Sequence, residues 1–134
     1  MRPRSSEDKP GELAYQADPI RASLEVLGRK WAFLILRDIA FLKLDRFGQI
    51  RRNNPGLTAR VLSRRLREMT KEGILVKEDD GDEIHYRLTT RGEDAVYILL
   101  ALLRYGIRYH IRGDRENESE VIRRLRYTTP FYPK

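Results

Sequence analysis

The chain has 134 residues, of which 35% are charged and 40% hydrophobic, and its formal net charge is +7 at pH 7. This length allows one compact domain, and the lack of cysteine excludes disulfides, thiolate metal sites, cysteine nucleophiles and cysteine redox sensors. The longest apolar run, residues 95–103, has nine residues, whereas a bilayer span needs about 20, so a cytoplasmic protein without membrane contact is predicted.

The first elements predicted along the chain are a polar arm and two helices. Residues 1–17 lack periodicity and contain proline and glycine, which is typical of a flexible arm. Pro19 is suited to the first turn of a helix that ends at Gly28. A second, largely buried helix is predicted over residues 31–43. Its apolar face consists of Trp31, Leu34, Ile35, Ile39 and Leu42.

Two further helices joined by a tight turn are predicted next. The first covers about 47–53 and ends because Pro55 disfavours the α conformation at Asn54, while Gly56 tolerates a positive φ. Thr58 is suited to capping the second helix, and Gly73 to closing it. Two helices separated by a short glycine-containing turn form a helix-turn-helix candidate.

Positive charge is concentrated on this helix pair. Residues 46–71 contain eight basic residues and one acid, a balance of +7 that equals the charge of the whole chain. A cationic surface on a helix pair is suited to double-stranded DNA. The residues predicted to reach base edges are Thr58, Arg60, Ser63, Arg64 and Arg67. Those predicted to contact the DNA backbone are Arg46, Arg51, Arg52, Lys71, Lys77 and Arg87.

A β-hairpin and a long helix complete the predicted domain. Strands are predicted over 74–77 and 84–88, joined by an acidic turn that contains Asp80 and Gly81. Thr90 and Glu93 have the spacing of a capping box, which predicts a helix over about 91–109. Its apolar surface is too extensive for so small a chain to cover, so a second copy is the simplest partner. The predicted dimer interface contains Ile20, Leu24, Val96, Leu99, Leu100, Leu103 and Ile107.

The predicted fold is therefore mainly α with a small β-hairpin: a winged helix-turn-helix domain over 18–111 with a long C-terminal dimerisation helix. Residues 112–134 form a charged extension, with a short helix from Asn117 as one option. A ligand cleft between subunits is an alternative to plain packing for the long helix.

Several short motifs, in order between residues 18 and 110, carry a family resemblance. They are GRKW at 28–31, LILR at 34–37, RFGQIRR at 46–52, PGLT at 55–58, LSRRLREM at 62–69, EGILV at 72–76 and YRLT at 86–89, followed by Gly92. This series resembles the HxlR-type winged helix-turn-helix transcriptional regulators. The resemblance implies a homodimer on an operator, with helix 58–72 in the major groove and the hairpin beside it. Many members carry a cysteine just before the first helix, a thiol sensor in some; because Asp18 stands here, thiol sensing is not implied.

Other function classes fit the sequence less well than a DNA-binding regulator does. An enzyme is disfavoured because the sequence has no nucleophile and base pair, phosphate-binding glycine loop or metal cluster, so no cofactor or metal is predicted. The acids at residues 78–83 would repel phosphates, so either the hairpin tip turns away from DNA or only Lys77 and Arg87 approach it. The alternatives are a non-specific architectural DNA-binding protein and a degenerate winged-helix interaction module. No small-molecule effector is identified from the sequence.

Overall fold

The computed structural model describes Ala14 and residues 17–111. Within that part of the chain it has five helices and one two-stranded antiparallel sheet. The elements are α1 Pro19–Leu27, α2 Ala32–Ala40, α3 Phe47–Asn53, α4 Ala59–Lys71, β1 Leu75–Asp79, β2 Ile84–Leu88 and α5 Thr90–Tyr109. This order confirms the predicted winged helix-turn-helix fold. The charged extension, its optional helix from Asn117 and nearly all of the predicted arm lie outside the described residues.

The hydrophobic core lies where α2, α4 and the first half of α5 meet. In α4 the buried side chains are Leu62, Leu66 and Met69. Their helical spacing places them on one side of α4 and leaves its other side to solvent. Ile35 and Leu36 of α2 are fully buried against the same core. No helix among the described residues is long and apolar enough to span a bilayer.

Helix α2 differs from its prediction in length and in the face that it buries. It covers Ala32–Ala40 rather than 31–43, because Trp31 adopts a left-handed conformation (φ 78°) and the chain leaves the helix before Lys43 (φ 57°). The prediction that Leu34 points inward is wrong, since its side chain is 38% exposed. Asp38 is buried instead. The Trp31 ring packs close to Gly56 (φ 95°) in the turn between α3 and α4.

The starts of α1, α4 and α5 are fixed by side-chain caps. The Asp18 carboxylate accepts hydrogen bonds from the Ile20 and Arg21 amides at 3.0 and 3.2 Å, and Thr58 caps α4 as predicted. The predicted capping role of Thr90 is wrong by one residue. Thr89 caps α5, because its hydroxyl both accepts from the Gly92 amide at 3.0 Å and donates to the carbonyl of Gly73.

The wing is the hairpin of β1 and β2, which pairs Leu75 with Leu88 at one end and Asp79 with Ile84 at the other. In the acidic turn, the Asp80 carboxylate accepts from the backbone amides of Asp82 and Glu83. At the base of the wing, the Tyr86 amide donates to the Asp45 carbonyl at 2.8 Å. The wing is therefore attached by its backbone to the segment that enters α3.

Candidate nucleic-acid interface

The outward side of α4 is lined by unpaired cations. All the basic residues of α4 except Arg65 are exposed, and none of these exposed cations hydrogen-bonds or forms an ion pair with another residue that the structure describes. They are Arg60, Arg64, Arg67 and Lys71. Ser63 lies exposed among them, and Thr58 is exposed at the start of the helix. The predicted base-reading residues thus share one accessible face whose charges are free to bind an anion.

A second pair of cations lies at the end of α3, just before the turn. Arg51 and Arg52 are exposed and have no ion pair within residues 17–111. Their position in the last turn of a helix is favourable, because the helix dipole is negative at that end. Together with the α4 face they give the helix-turn-helix an accessible positive surface.

The turn between α3 and α4 is held by a buried polar network around Asp38. This carboxylate is 0% exposed. One of its oxygens accepts from Arg37 at 2.8 Å and from Asn53 at 3.0 Å, and the other accepts from Asn54 at 2.7 Å. Arg37 also donates to the Asn54 side-chain oxygen at 3.1 Å. A buried charge is tolerated when its hydrogen bonds are satisfied, so this network fixes α2 against the turn that begins α4.

Asp38 was missed by the sequence analysis. The available signal was an acid at the spacing of the buried face of α2, between the apolar neighbours Leu36 and Ile39. Because its partners lie 15 and 16 residues further along the chain, helical periodicity alone does not indicate the contacts. The same network gives a role to the two asparagines before Pro55, because both donate hydrogen bonds to Asp38. The sequence pattern indicated only a turn at this point.

Two of the six predicted backbone contacts are paired with acids of the wing. Arg46 forms an ion pair with Glu83 at 2.7 Å, and Arg87 forms one with Glu78 at 2.6 Å. Lys77 is exposed and makes no ion pair with any residue in the described range. The acids therefore neutralise their own cationic neighbours, a pairing that the sequence pattern did not indicate.

His85 adds a further contact between the wing and the α3 entrance. Its two ring nitrogens lie 3.2 Å from the carboxylates of Asp45 and Glu83. The hydrogen bond with Asp45, assisted by the charges of both acids, raises the pKa of His85 above its ordinary value. The charged imidazolium is thereby favoured, and it links both carboxylates at the side of the wing.

A separate apolar surface runs along α1 and α5. Ile20 and Leu24 of α1 are exposed, and Ile98 of α5 lines the same groove of about 330 Å³. The stripe continues along α5 at helical spacing through Leu102, Tyr105 and Tyr109, which are all exposed. This is the largest set of exposed apolar side chains on neighbouring helices that the described residues present.

Most of the predicted interface residues of α5 are half-buried. Leu99 is only 7% exposed and belongs to the core of its own chain, so its assignment to the interface is corrected. Leu100, Leu103 and Ile107 are partly buried and pack together with Phe41. Val96 is also partly buried. Exposed apolar residues lie beside this set, at Ile98, Leu102 and Tyr105, which the sequence analysis did not select.

Several known proteins are similar in sequence to this chain. The HxlR-like helix-turn-helix family model matches residues 26–114. An uncharacterised HTH-type transcriptional regulator of Mycobacterium tuberculosis is 34% identical over 98 residues, which is 71% of this chain and 61% of that protein. The chain therefore spans less than two thirds of that relative's length. An uncharacterised HTH-type regulator of Methanothermobacter thermautotrophicus is 32% identical over 123 residues, covering 83% of this chain and 92% of that protein.

Solved structures of similar fold are also known. A crystal structure from Thermoplasma volcanium, described as a possible HxlR family transcriptional factor, has a TM-score of 0.58 at 30% identity and covers 66% of this chain and 81% of that one. The oxidised form of the redox regulator HypR has a TM-score of 0.61 at 28% identity, covering 69% and 98%. By sequence and by architecture, the chain belongs to the HxlR-like helix-turn-helix family.

Proposed function

We propose that the protein is a homodimer that recognises a specific double-stranded DNA operator, with α4 in the major groove and the wing beside it. The observation that carries this proposal is the exposed, unpaired arginine face of α4, on the second helix of a helix-turn-helix. That helix is the one that reads base edges in proteins of this architecture. Arginine is suited to this task because its guanidinium can donate two parallel hydrogen bonds to guanine.

The homodimer is supported by the apolar stripe of α1 and α5. Side chains such as Leu24, Leu102 and Tyr105 are exposed in the single chain, and burying them against a second copy would remove a large apolar area from water. A twofold dimer carries two copies of α4. Its operator is then expected to contain two related half-sites about one helical turn, or a multiple of it, apart.

The proposed contacts divide into two kinds. Thr58, Arg60, Ser63, Arg64 and Arg67 are the proposed contacts to bases. Arg51, Arg52, Lys71 and Lys77 are the proposed contacts to phosphates, which set affinity and register without reading sequence. Arg46 and Arg87 also face the DNA in this proposal. Each would have to break its ion pair with an acid of the wing before it could bind a phosphate.

Substitution of one arginine of each kind tests this division. Arg64→Ala is expected to weaken operator binding by about 1–3 kcal/mol and to relax preference at one base pair, because a bidentate base contact is lost. Arg51→Ala is expected to weaken operator and scrambled duplexes alike and to reduce the salt dependence of binding by about one counterion. Fluorescence anisotropy titrations on an operator selected by the wild-type protein from random duplexes would measure both variants.

The outcomes also separate the alternative functions. Equal losses for Arg64→Ala on operator and scrambled duplexes would contradict base reading by α4. A wild-type protein that binds every duplex equally would be a non-specific architectural protein, and one that binds none even at low salt would be an interaction module.

The ion pair between Arg46 and Glu83 gives a prediction of increased affinity. Glu83→Gln is expected to raise affinity for all duplexes by about three- to tenfold, since a freed guanidinium gains a phosphate contact worth on the order of 1 kcal/mol. The slope of affinity against salt should also steepen by about one counterion. Titrations at several salt concentrations would measure both quantities.

Asp82→Asn is the matched control, because it removes the same charge from the same turn without contacting Arg46. If both variants gain the same affinity, the cause is the general loss of negative charge near the DNA, and the release of Arg46 from Glu83 does not contribute. If Glu83→Gln gains nothing, Arg46 does not reach DNA.

A further inference from the structure

Arg65 differs from every other basic residue of α4. Its side chain is only 13% exposed. Its Nε donates to the Lys30 carbonyl at 2.8 Å, and its terminal nitrogen donates to Glu68 at 3.1 Å. A guanidinium with two internal acceptors is committed to the protein, so Arg65 is not available as a DNA contact.

The acceptor of that bond lies in the loop that joins α1 to α2. This loop covers residues 28–31, directly after the helix that carries Ile20 and Leu24. Arg29 of the same loop lies 3.6 Å from Glu68, which gives α4 a second ionic contact with it. The loop therefore connects α4 directly to the helix that carries part of the proposed dimer surface.

These polar contacts give α4 a directional constraint that its apolar packing lacks. Leu62, Leu66 and Met69 hold α4 on the core, but hydrophobic burial is non-directional. Hydrogen bonds depend on distance and angle. The bond from Arg65 to the Lys30 carbonyl therefore fixes the orientation of α4 relative to α1.

We propose that Arg65 is a positioning residue that sets the separation of the two α4 helices in the dimer and thereby the half-site spacing that the protein accepts. This inference rests on the proposed dimeric, operator-binding function. Inserting one base pair moves a half-site by about 3.4 Å and rotates it by about 35°. A dimer with a rigid connection between α1 and α4 cannot bind both half-sites after that change, whereas a dimer with a loose connection can.

The test uses the operator selected by the wild-type protein, versions with one base pair added or removed at the centre, and a duplex with one half-site. Arg65→Met keeps the length and apolar stem of the side chain but removes its donors. Wild type is expected to prefer the native spacing by about tenfold or more, and Arg65→Met by about threefold or less. Because the readout is a ratio between spacings, the uniform loss from removing one positive charge cancels.

Two further variants refine this comparison. Arg65→Lys retains the charge and one donor for the Lys30 carbonyl, so it should recover most of the preference. Lys43→Met removes an exposed cation that lies outside α1, α4 and α5 and bonds the nearby Ala40 carbonyl, so it should leave the ratio unchanged.

An unchanged ratio for Arg65→Met, with equal loss on all three spacings, would overturn the proposal. If Arg65→Met does not fold, Arg65→Gln decides, because its shorter polar side chain cannot reach both the Lys30 carbonyl and Glu68. A reduced spacing ratio in that variant supports the proposal, and an unchanged one overturns it. If wild type itself binds the half-site duplex as tightly as the full operator, the proposed dimer fails, and this inference fails with it.

Discussion

Replacing Asp38 by alanine is expected to lower the free energy of unfolding by about 3 kcal/mol, near the lower end of the range for breaking a buried ion pair. The loss arises because Arg37, Asn53 and Asn54 would keep their donors without the carboxylate that satisfies them. Arg37 is 25% exposed, so water can solvate part of its charge and moderate the effect. Urea denaturation followed by circular dichroism would measure the change.

Asp82→Ala is the control for this prediction. Asp82 is exposed at the wing tip and its carboxylate contacts no other described residue, so its loss should change stability by less than about 0.5 kcal/mol. A loss of under about 1 kcal/mol for Asp38→Ala would mean that the network contributes little. In a double-mutant cycle with Asn54→Ala, the two losses should be strongly non-additive, because both variants remove the same hydrogen bond.

Leu102→Glu is expected to convert the proposed dimer to monomers and to lower operator affinity by about a hundredfold or more. Leu102 is 48% exposed in the middle of the α5 stripe, and the substitution introduces two like charges into the twofold contact. Binding to a single half-site should change little, because each monomer keeps its own α4. Sedimentation velocity would give the oligomeric state, and anisotropy titrations would give both affinities.

Thr90→Glu serves as the comparison for Leu102→Glu. It adds the same charge to α5 at an exposed position in the first helical turn, far from the stripe. Both variants should melt within a few degrees of wild type at a concentration where it is monomeric, since neither changes a buried side chain. A Leu102→Glu protein that still sediments as a dimer would exclude the α1 and α5 stripe as the interface.

The order of elements and the two sides of α4 were predictable because their signals are local. Proline, glycine and capping residues mark the ends, and the spacing of Leu62, Leu66 and Met69 marks the buried side. Contacts between distant residues explain the errors. Thr89 rather than Thr90 caps α5 because it also bonds the Gly73 carbonyl, 16 residues earlier, and α2 ends early because the chain turns back to bond the Asp38 carbonyl.

The candidate site was predictable to a similar degree. The exposed arginines follow from helical periodicity, whereas the pairing of Arg46 with Glu83 joins residues 37 positions apart and has no local signal. The apolar surface of α5 was recognised from composition, but its outward stripe was not. Leu99 is taken up by the core, and Phe41 packs with Leu100, Leu103 and Ile107, which leaves a neighbouring stripe for a partner.

Trp31 is the only tryptophan of the chain, and its ring lies 3.7 Å from the site of a Cβ at Gly56. Indole emission from this protein therefore has a single origin, beside the bend that leads into α4. Any shift of that bend when a duplex is bound changes the surroundings of the fluorophore. The fluorescence of Trp31 can therefore report the binding of a duplex without an attached dye.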